Sequence, residues 1–182
     1  MSRMSLMEKY KKEAIPAMQK RFGYSNMMAV PRIRSVVVNV GTGRLGREKG
    51  GDEEVIKFLA AVTGQQPIPC VARISIASFK TRQGQVIGRK VTLRGRRMFD
   101  FLERFVSAVL PRMRDFRGLE PKSVDQGGSL TIGVREHIIF PETIGEDARA
   151  MFGLEATART DAKTREEALE LFRLLGFPLK KS

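Results

Sequence analysis

The amino-acid sequence predicts an α+β fold: a mostly antiparallel sheet with helices packed on one face and the other face left open and basic. Three observations carry that expectation. Two runs rich in β-branched residues, "CVARISIASF" and "VIGRKVTLRG", place strands at 71–79 and 86–94, and so short a connection pairs them antiparallel. The segment 97–110 sets Met98, Phe101, Leu102, Phe105, Val106 and Val109 at the i, i+3, i+4 spacing of a helix with one apolar stripe. The order helix, strand, helix, strand, strand, helix, strand, strand, helix lacks the regular alternation of a parallel sheet. No repeat, low-complexity tract or linker interrupts the chain, so one domain spanning 1–182 is expected, with a loop projecting at about 77–85.

The remaining elements follow in order. Residues 4–22 bring Met7, Tyr10, Ala14, Met18 and Phe22 onto one helical stripe. Pro16 lacks an N–H and crowds the carbonyl four residues back, so a kink is expected there. After a short turn ending at Pro31, "RIRSVVVNV" (32–40) reads as a buried strand. In 52–64 the acids Asp52, Glu53 and Glu54 crowd the positive end of a helix, and Gly64 sits where a C-cap belongs. Beyond an arginine-rich loop, "LTIGV" (130–134) and "LEATAR" (154–159) are two more strands. Thr164 and Glu167 form a capping box that opens a last helix running through Leu175.

Charge narrows the function. The formal net charge is +13. Residues 55–99 carry Lys57, Arg73, Lys80, Arg82, Arg89, Lys90, Arg94, Arg96 and Arg97 without one Asp or Glu. Folded surfaces mix signs for solubility and pairing, so this stretch implies a polyanionic partner, most commonly nucleic acid. A membrane surface prefers a basic amphipathic helix, whereas this zone reads as strands and a loop. There is no apolar run long enough to cross a bilayer, and residues 1–22 are too charged for a signal peptide, so a cytoplasmic protein with no membrane partner is expected. Cys70 is the only cysteine, which excludes an internal disulfide and a cysteine-cluster zinc site; a small buried residue is expected there. His137 has no cysteine partner at ligand spacing and reads as a structural, hydrogen-bonding residue. No metal site, cofactor or catalytic residue is therefore expected.

One motif argues otherwise. Gly41, Gly43 and Gly46 in "VVVNVGTGRLGREKG" match the G-x-G-x-x-G of a dinucleotide-binding turn. That turn needs its helix to start at the glycines, so that the helix amides meet the pyrophosphate. Here Arg44, Arg47, Lys49, Gly50 and Gly51 intervene before a helix near Asp52. The ribose-binding acid due about 20 residues on is missing too. A nicotinamide enzyme is thus the weakest reading. A free-standing DNA-binding module ranks above it on charge alone, without a recognition-helix motif.

Strand alternation gives the partner a surface. Ile74 and Ile76 should point one way and Arg73 and Ser75 the other; across the pair, Val91 and Leu93 face the core while Lys90, Thr92 and Arg94 face out. Helices cover the apolar side, leaving cations and hydroxyls suited to a phosphate backbone and a sugar edge. Asn39 interrupts a valine strand and either bonds neighbouring backbone or contacts RNA. At the connection, Lys80 and Arg82 have no acid nearby, Gly84 permits an unusual backbone angle, and Phe79 looks exposed, braced against the loop or packed on RNA.

The motifs "VPRIRSVVVNVGTG", "TGQQP", "FKTRQGQVIGRKVTLRG", "RMRDFRGL" and "GVREHIIFPE", in that order and nearly end to end, resemble the bacterial ribosomal protein L-five family of the large subunit. The resemblance implies a structural, non-enzymatic protein that binds 5S ribosomal RNA and helps attach it to 23S ribosomal RNA in the central protuberance. It implies contact with P-site transfer RNA through a loop and with small-subunit protein S-thirteen through an intersubunit bridge. On that pattern the 5S contacts fall on Asn39, Gln65 and Thr92, with support from Arg32, Arg44, Arg73, Arg89, Lys90 and Arg94. Gly41 and Gly43 become a tight strand exit where RNA approaches the backbone. The transfer RNA loop comprises Ser78, Phe79, Lys80, Thr81, Arg82, Gln83 and Gly84. The chain departs from the family at "DQGGSL" (125–130), where "DGRGN" is usual, at His137 in place of glutamine, and at Thr81 in place of an aliphatic residue.

Overall fold

The computed structural model describes residues 4–43, 50–114, 116–143 and 151–180. Strands β1 (Ile33–Gly41), β2 (Ile68–Val71), β3 (Val86–Leu93), β4 (Leu130–Val134) and β5 (Leu154–Thr160) form an antiparallel sheet in the order β2-β3-β1-β5-β4. With its helices this is the expected α+β class. The chain divides into two compact units: Met1–Val36, Leu93–Ile132 and Thr157–Ser182 form the first, Val37–Thr92 and Gly133–Ala156 the second.

In the first unit, a Ser5–Glu8 capping box starts α1 (Leu6–Lys9), which passes through a π turn (Tyr10–Ala14) into α2 (Ile15–Phe22). The same device recurs in α4 (Gly95–Arg104), whose π turn (Phe105–Val109) leads into α5 (Leu110–Arg112). Both π turns end two residues before a proline, Pro16 or Pro111. The Ile15 amide reaches the Tyr10 carbonyl and the Leu110 amide the Phe105 carbonyl, five residues back. Widening the turn relieves the clash between the ring and the carbonyl four residues behind it. The disturbance expected at Pro16 is thus taken up one turn earlier. An extra residue in that turn also shifts the stripe: Leu6, Ala14 and Met18 are buried, while Met7 is exposed. The last helix, α6 (Arg165–Leu175), opens on the expected Thr164–Glu167 capping box and ends at Gly176, φ 93°. Its buried Phe172 meets Phe177 edge-on at 5.1 Å.

In the second unit, α3 (Gly51–Thr63) carries Asp52, Glu53 and Glu54 in its first turn and is capped by Gly64 at φ 65°, as its sequence requires. Its Phe58 stands edge-on to His137 (5.3 Å), Phe140 (5.4 Å) and Phe152 (5.3 Å). The His137 ring is buried, stacks on Phe152 at 3.8 Å, and accepts a 3.5 Å hydrogen bond from the Phe152 amide at Nδ1. It is the structural residue its isolation in the sequence implies.

The strand expected at 71–79 is displaced. β2 spans Ile68–Val71 and pairs with β3 (Ile68 with Lys90, Cys70 with Gly88), with a register shift at Cys70/Val71. Beyond it Ala72 still bonds to Gln85 (2.8 Å) and Gly84 (3.0 Å), after which the chain leaves the ladder, touches itself at an isolated Ile76–Thr81 bridge and forms a 3-10 turn over Ala77–Phe79. Ile74 and Ile76 are consequently exposed, contrary to the core role alternation gave them. The alternating pattern is real, but no second strand runs alongside to extend the ladder. Cys70, on this edge strand, is half-buried rather than buried.

β4 and β5 alternate cleanly, whereas β1 buries Ser35 and Val36 in succession and β3 buries Gly88 beside its alternating Val91 and Leu93. Val36, Val38 and Val40 of β1, Val91 and Leu93 of β3, and Leu154, Ala156 and Ala158 of β5 are buried. β1 and β3 approach closely at Gly88, where an added Cβ would stand 2.9 Å from the Val40 carbonyl oxygen. Gly88→Ala is expected to lose about 1–3 kcal/mol by forcing that backbone apart. Chemical denaturation would measure it, and an unchanged midpoint would show that the strands have room.

Candidate nucleic-acid interface

In the second unit, residues between the buried positions of β1 and β3 form the open face. Asn39 and Gly41 of β1 are exposed, and Lys90 and Thr92 of β3 are half-buried. Asn39 is not a buried amide in a valine strand, so its polarity carries no desolvation cost. Its Oδ1 lies 3.8 Å from where a Gly88 Cβ would stand, which puts it on the Gly88–Lys90–Thr92 side. Among the described residues, no hydrogen bond occupies the Asn39 side-chain amide group or the Thr92 hydroxyl.

Gln65 reaches β3 through its side chain and is held to α3 through its backbone. Its Nε2 donates to the Thr92 carbonyl at 3.5 Å. Its amide donates at 3.3 Å to the Thr63 hydroxyl, which is buried and itself donates to the Leu59 carbonyl at 2.5 Å. Thr63 thereby fixes the chain leaving α3. Gly41 and Gly43 have ordinary φ angles, and a Cβ on either would meet nothing within 4 Å. Neither backbone conformation nor packing demands them, so the tight exit expected here is an open one.

The cations are distributed differently from the sequence expectation. Arg89 shares the alternation of Val91 and Leu93 and turns toward α3, where its Nε donates to Asp52 Oδ1 at 2.9 Å and its Nη2 pairs with Asp52 Oδ2. Arg73 is exposed in the irregular segment after β2. Glu155 of β5 alternates with buried Leu154 and Ala156, so an acid also stands on the open side of this unit. Arg32 and Arg94 belong to the first unit, both exposed, Arg94 as the residue before α4. Arg44 lies outside the described residues, as does Gly46.

The loop is built rather than slack. Ile76 and Thr81 exchange backbone hydrogen bonds of 3.1 and 3.2 Å, the Gly84 amide reaches the Ala72 carbonyl at 3.0 Å, and the Gln83 amide reaches Ser75 Oγ at 3.0 Å. Gly84 adopts φ 82°, the unusual angle its sequence position suggests. Lys80 is left-handed too, at φ 52°, alone among the described non-glycine residues. Ser78, Phe79, Lys80, Arg82 and Gln83 are exposed and Thr81 is half-buried. Sequence reasoning missed the exposed apolar residues Ile68, Val71, Ile74 and Met151. Assigning 71–79 to a strand concealed two of them, Val71 and Ile74.

No group of three or more potential metal-ligating side chains occurs among the described residues, and none of their helices is long and apolar enough to cross a membrane.

The β2–β3 strand pair holds no acid in its sequence and carries polar side chains between its buried positions, and comparison with known proteins places the chain among ribosomal proteins. A family model described as ribosomal protein L5 matches residues 26–82, and a second, describing the C-terminus of the same ribosomal family, matches residues 86–179. The protein named large ribosomal subunit protein uL5 from Halothermothrix orenii is 49% identical over 173 residues, covering 95% of this chain and 97% of its own length. Its namesakes from Carboxydothermus hydrogenoformans and Colwellia psychrerythraea are 46% and 48% identical, covering 97% and 94% of this chain and 98% and 95% of their own. The chain belongs to the ribosomal protein L5 family. It is a structural component of the cytoplasmic large ribosomal subunit and not an enzyme, and ribosomal RNA is its class of partner.

Hydrogen bonding from Arg89 holds the Asp52 carboxyl below the usual carboxylate range. A depressed folded-state pKa contributes stability above the unfolded carboxylate value, lost as pH falls through the folded one. Arg89→Gln should therefore lose about 1 kcal/mol or less near neutral pH, because Asp52 is a third exposed and screened by solvent. It should also flatten the stability curve below about pH 4. Denaturation midpoints across pH 2.5–7 (roughly, the carboxylate range) test this, and an unchanged acid limb would show the pair to be energetically idle.

Proposed function

We propose that the chain binds 5S ribosomal RNA on the open face of its second unit and helps attach it to 23S ribosomal RNA in the central protuberance. In the same reading, the 77–85 loop meets P-site transfer RNA, and the chain reaches small-subunit protein S-thirteen across the subunit interface. One observation carries the 5S assignment: Asn39 and Thr92 hold hydrogen-bonding groups without a partner among the described residues, beside Gly41 and Gly43, whose added Cβ atoms would meet nothing within 4 Å. Hydroxyl and amide groups read sugar and base edges, while Lys90 supplies a charge for phosphate. Arg73 and the first unit's Arg32 and Arg94 are exposed and available to add to that charge. Arg89 acts through Asp52 by holding β3 against α3. Gln65 positions the rim of the face.

Lys80 and Arg82 support the loop assignment. Holding a non-glycine residue in the left-handed region costs about 1 kcal/mol or more, and here that conformation presents a cation at the tip. Phosphate contacts by cations serve any sequence, as a protein meeting many transfer RNAs requires.

Thr92→Val keeps the β-branched shape of the strand and removes the hydroxyl. Affinity for 5S RNA should fall by about 1 kcal/mol, roughly fivefold, with the melting temperature unchanged. Full affinity in a folded Thr92→Val protein would remove Thr92 from the interface. Replacing Lys80 and Arg82 together by Gln leaves the loop's backbone hydrogen bonds in place. It should spare 5S binding and subunit assembly while lowering P-site transfer RNA occupancy several-fold. Footprinting on mutant ribosomes decides, and wild-type protection would reduce the loop to a surface turn.

A further inference from the structure

The loop encloses a cleft of about 930 Å³ within the second unit. Its apolar lining includes Ile74, Ile76, Phe79 and Met151, exposed by 65, 37, 72 and 67%. Contiguous apolar surface of this kind marks a place meant to be covered. Arg73 and Lys80 stand in the same lining, and its described residues include no carboxylate. Gly41 and Gly43 complete one wall, where an added Cβ would meet nothing within 4 Å. The occupant must therefore present a flat apolar surface together with negative charge, and must come close to the backbone.

We propose that this cleft receives one unstacked nucleotide of single-stranded RNA, its base against Phe79 and its phosphate between Arg73 and Lys80. Aromatic side chains hold bases of any identity by stacking, and nearby cations hold the linking phosphates. Phe79 does not brace the loop: the Ile76–Thr81 bridge and the bonds to Ala72 and Ser75 do that, leaving the ring free and the cleft preformed. An acidic peptide shares the charge but would seek a strand edge to pair with. β2 ends at Val71, and the cleft wall beyond it is no strand. The proposal deepens the loop reading above, since Phe79 and Lys80 belong to the segment given to transfer RNA, and it does not depend on which RNA the sheet face takes.

The chain has no tryptophan, so Phe79→Trp introduces a single indole whose emission a stacked base quenches. The full-length variant is titrated with hexaadenylate, with an abasic strand of equal length, and with an acidic peptide containing phenylalanine. The expected result is saturable quenching by hexaadenylate, at least tenfold weaker binding of the abasic strand, and no competition by the peptide. Labelled hexaadenylate should also bind Phe79→Ala several-fold more weakly than the unaltered protein. Equal binding of the two strands without quenching, or displacement by the peptide, would overturn the proposal. 5S binding measured on the same Phe79→Ala protein separates the two readings. If it persists while hexaadenylate gives no quenching, the cleft assignment fails and the sheet-face reading stands.

Discussion

At Gly88 the backbones of β1 and β3 come close enough that a single methyl group would press on the Val40 carbonyl. Much of the second unit depends on that approach. It lets Val40 and Val91 share one buried side with α3. On the opposite side it sets Asn39 beside a residue with no side chain, its Oδ1 3.8 Å from where a Gly88 Cβ would stand. A glycine in a strand interior loses packing and chain entropy on folding, typically about 0.5–1 kcal/mol relative to alanine. Gly88 offsets that loss by allowing the strands to meet. Gly41 and Gly43 have no such compensation among the described residues, which distinguishes a glycine the fold needs from glycines a partner can use.

The alternation that builds the face also divides its charges. Consecutive residues Arg89 and Lys90 go to opposite sides, one to Asp52 and one to solvent. A carboxylate at the positive end of α3 is favourable by itself; with Arg89 it also ties helix to strand. The acid-free stretch of sequence is therefore not acid-free in space. Asp52, just upstream of it, satisfies one of its cations, and Glu155 of β5 faces the open side. What remains for a nucleic acid is a modestly charged face of amide and hydroxyl groups and a more strongly charged loop.

These distinctions mark how far the sequence could be read. Apolar spacing, the glycine C-cap and the Thr164–Glu167 box located α3, α4, α6 and four of the strands because each is a local signal. The π turns were illegible: a proline announces a disturbance, but whether the helix kinks or widens one turn earlier depends on packing around it. Arg89 was within reach, since the rule that sent Val91 inward sends Arg89 the same way. The 71–79 strand failed for a different reason. Its alternating residues look like a ladder, but pairing requires a neighbour, and the register shift at Cys70/Val71 takes the chain off β3. Asn39, Thr92 and Gln65 came from family resemblance; their arrangement, with Thr63 fixing Gln65, needed coordinates.

Loss of that strand is what makes the loop useful. Had 72–79 continued in register, Ile74 and Ile76 would have been drawn into the sheet and Phe79 would have ended a plain hairpin. Leaving the ladder instead keeps three large apolar side chains in water and forgoes the stabilisation of burying them, and the Ile76–Thr81 bridge then holds them in place with Lys80 in a left-handed conformation. Each of these features is unfavourable for an isolated domain, and all of them lie on one short segment. Local violations of folding rules gathered at one place mark a surface shaped by its partner rather than by the core. By the same argument the open face, where strand geometry is regular, owes its specificity to the chemistry of single side chains, and the loop owes its own to shape.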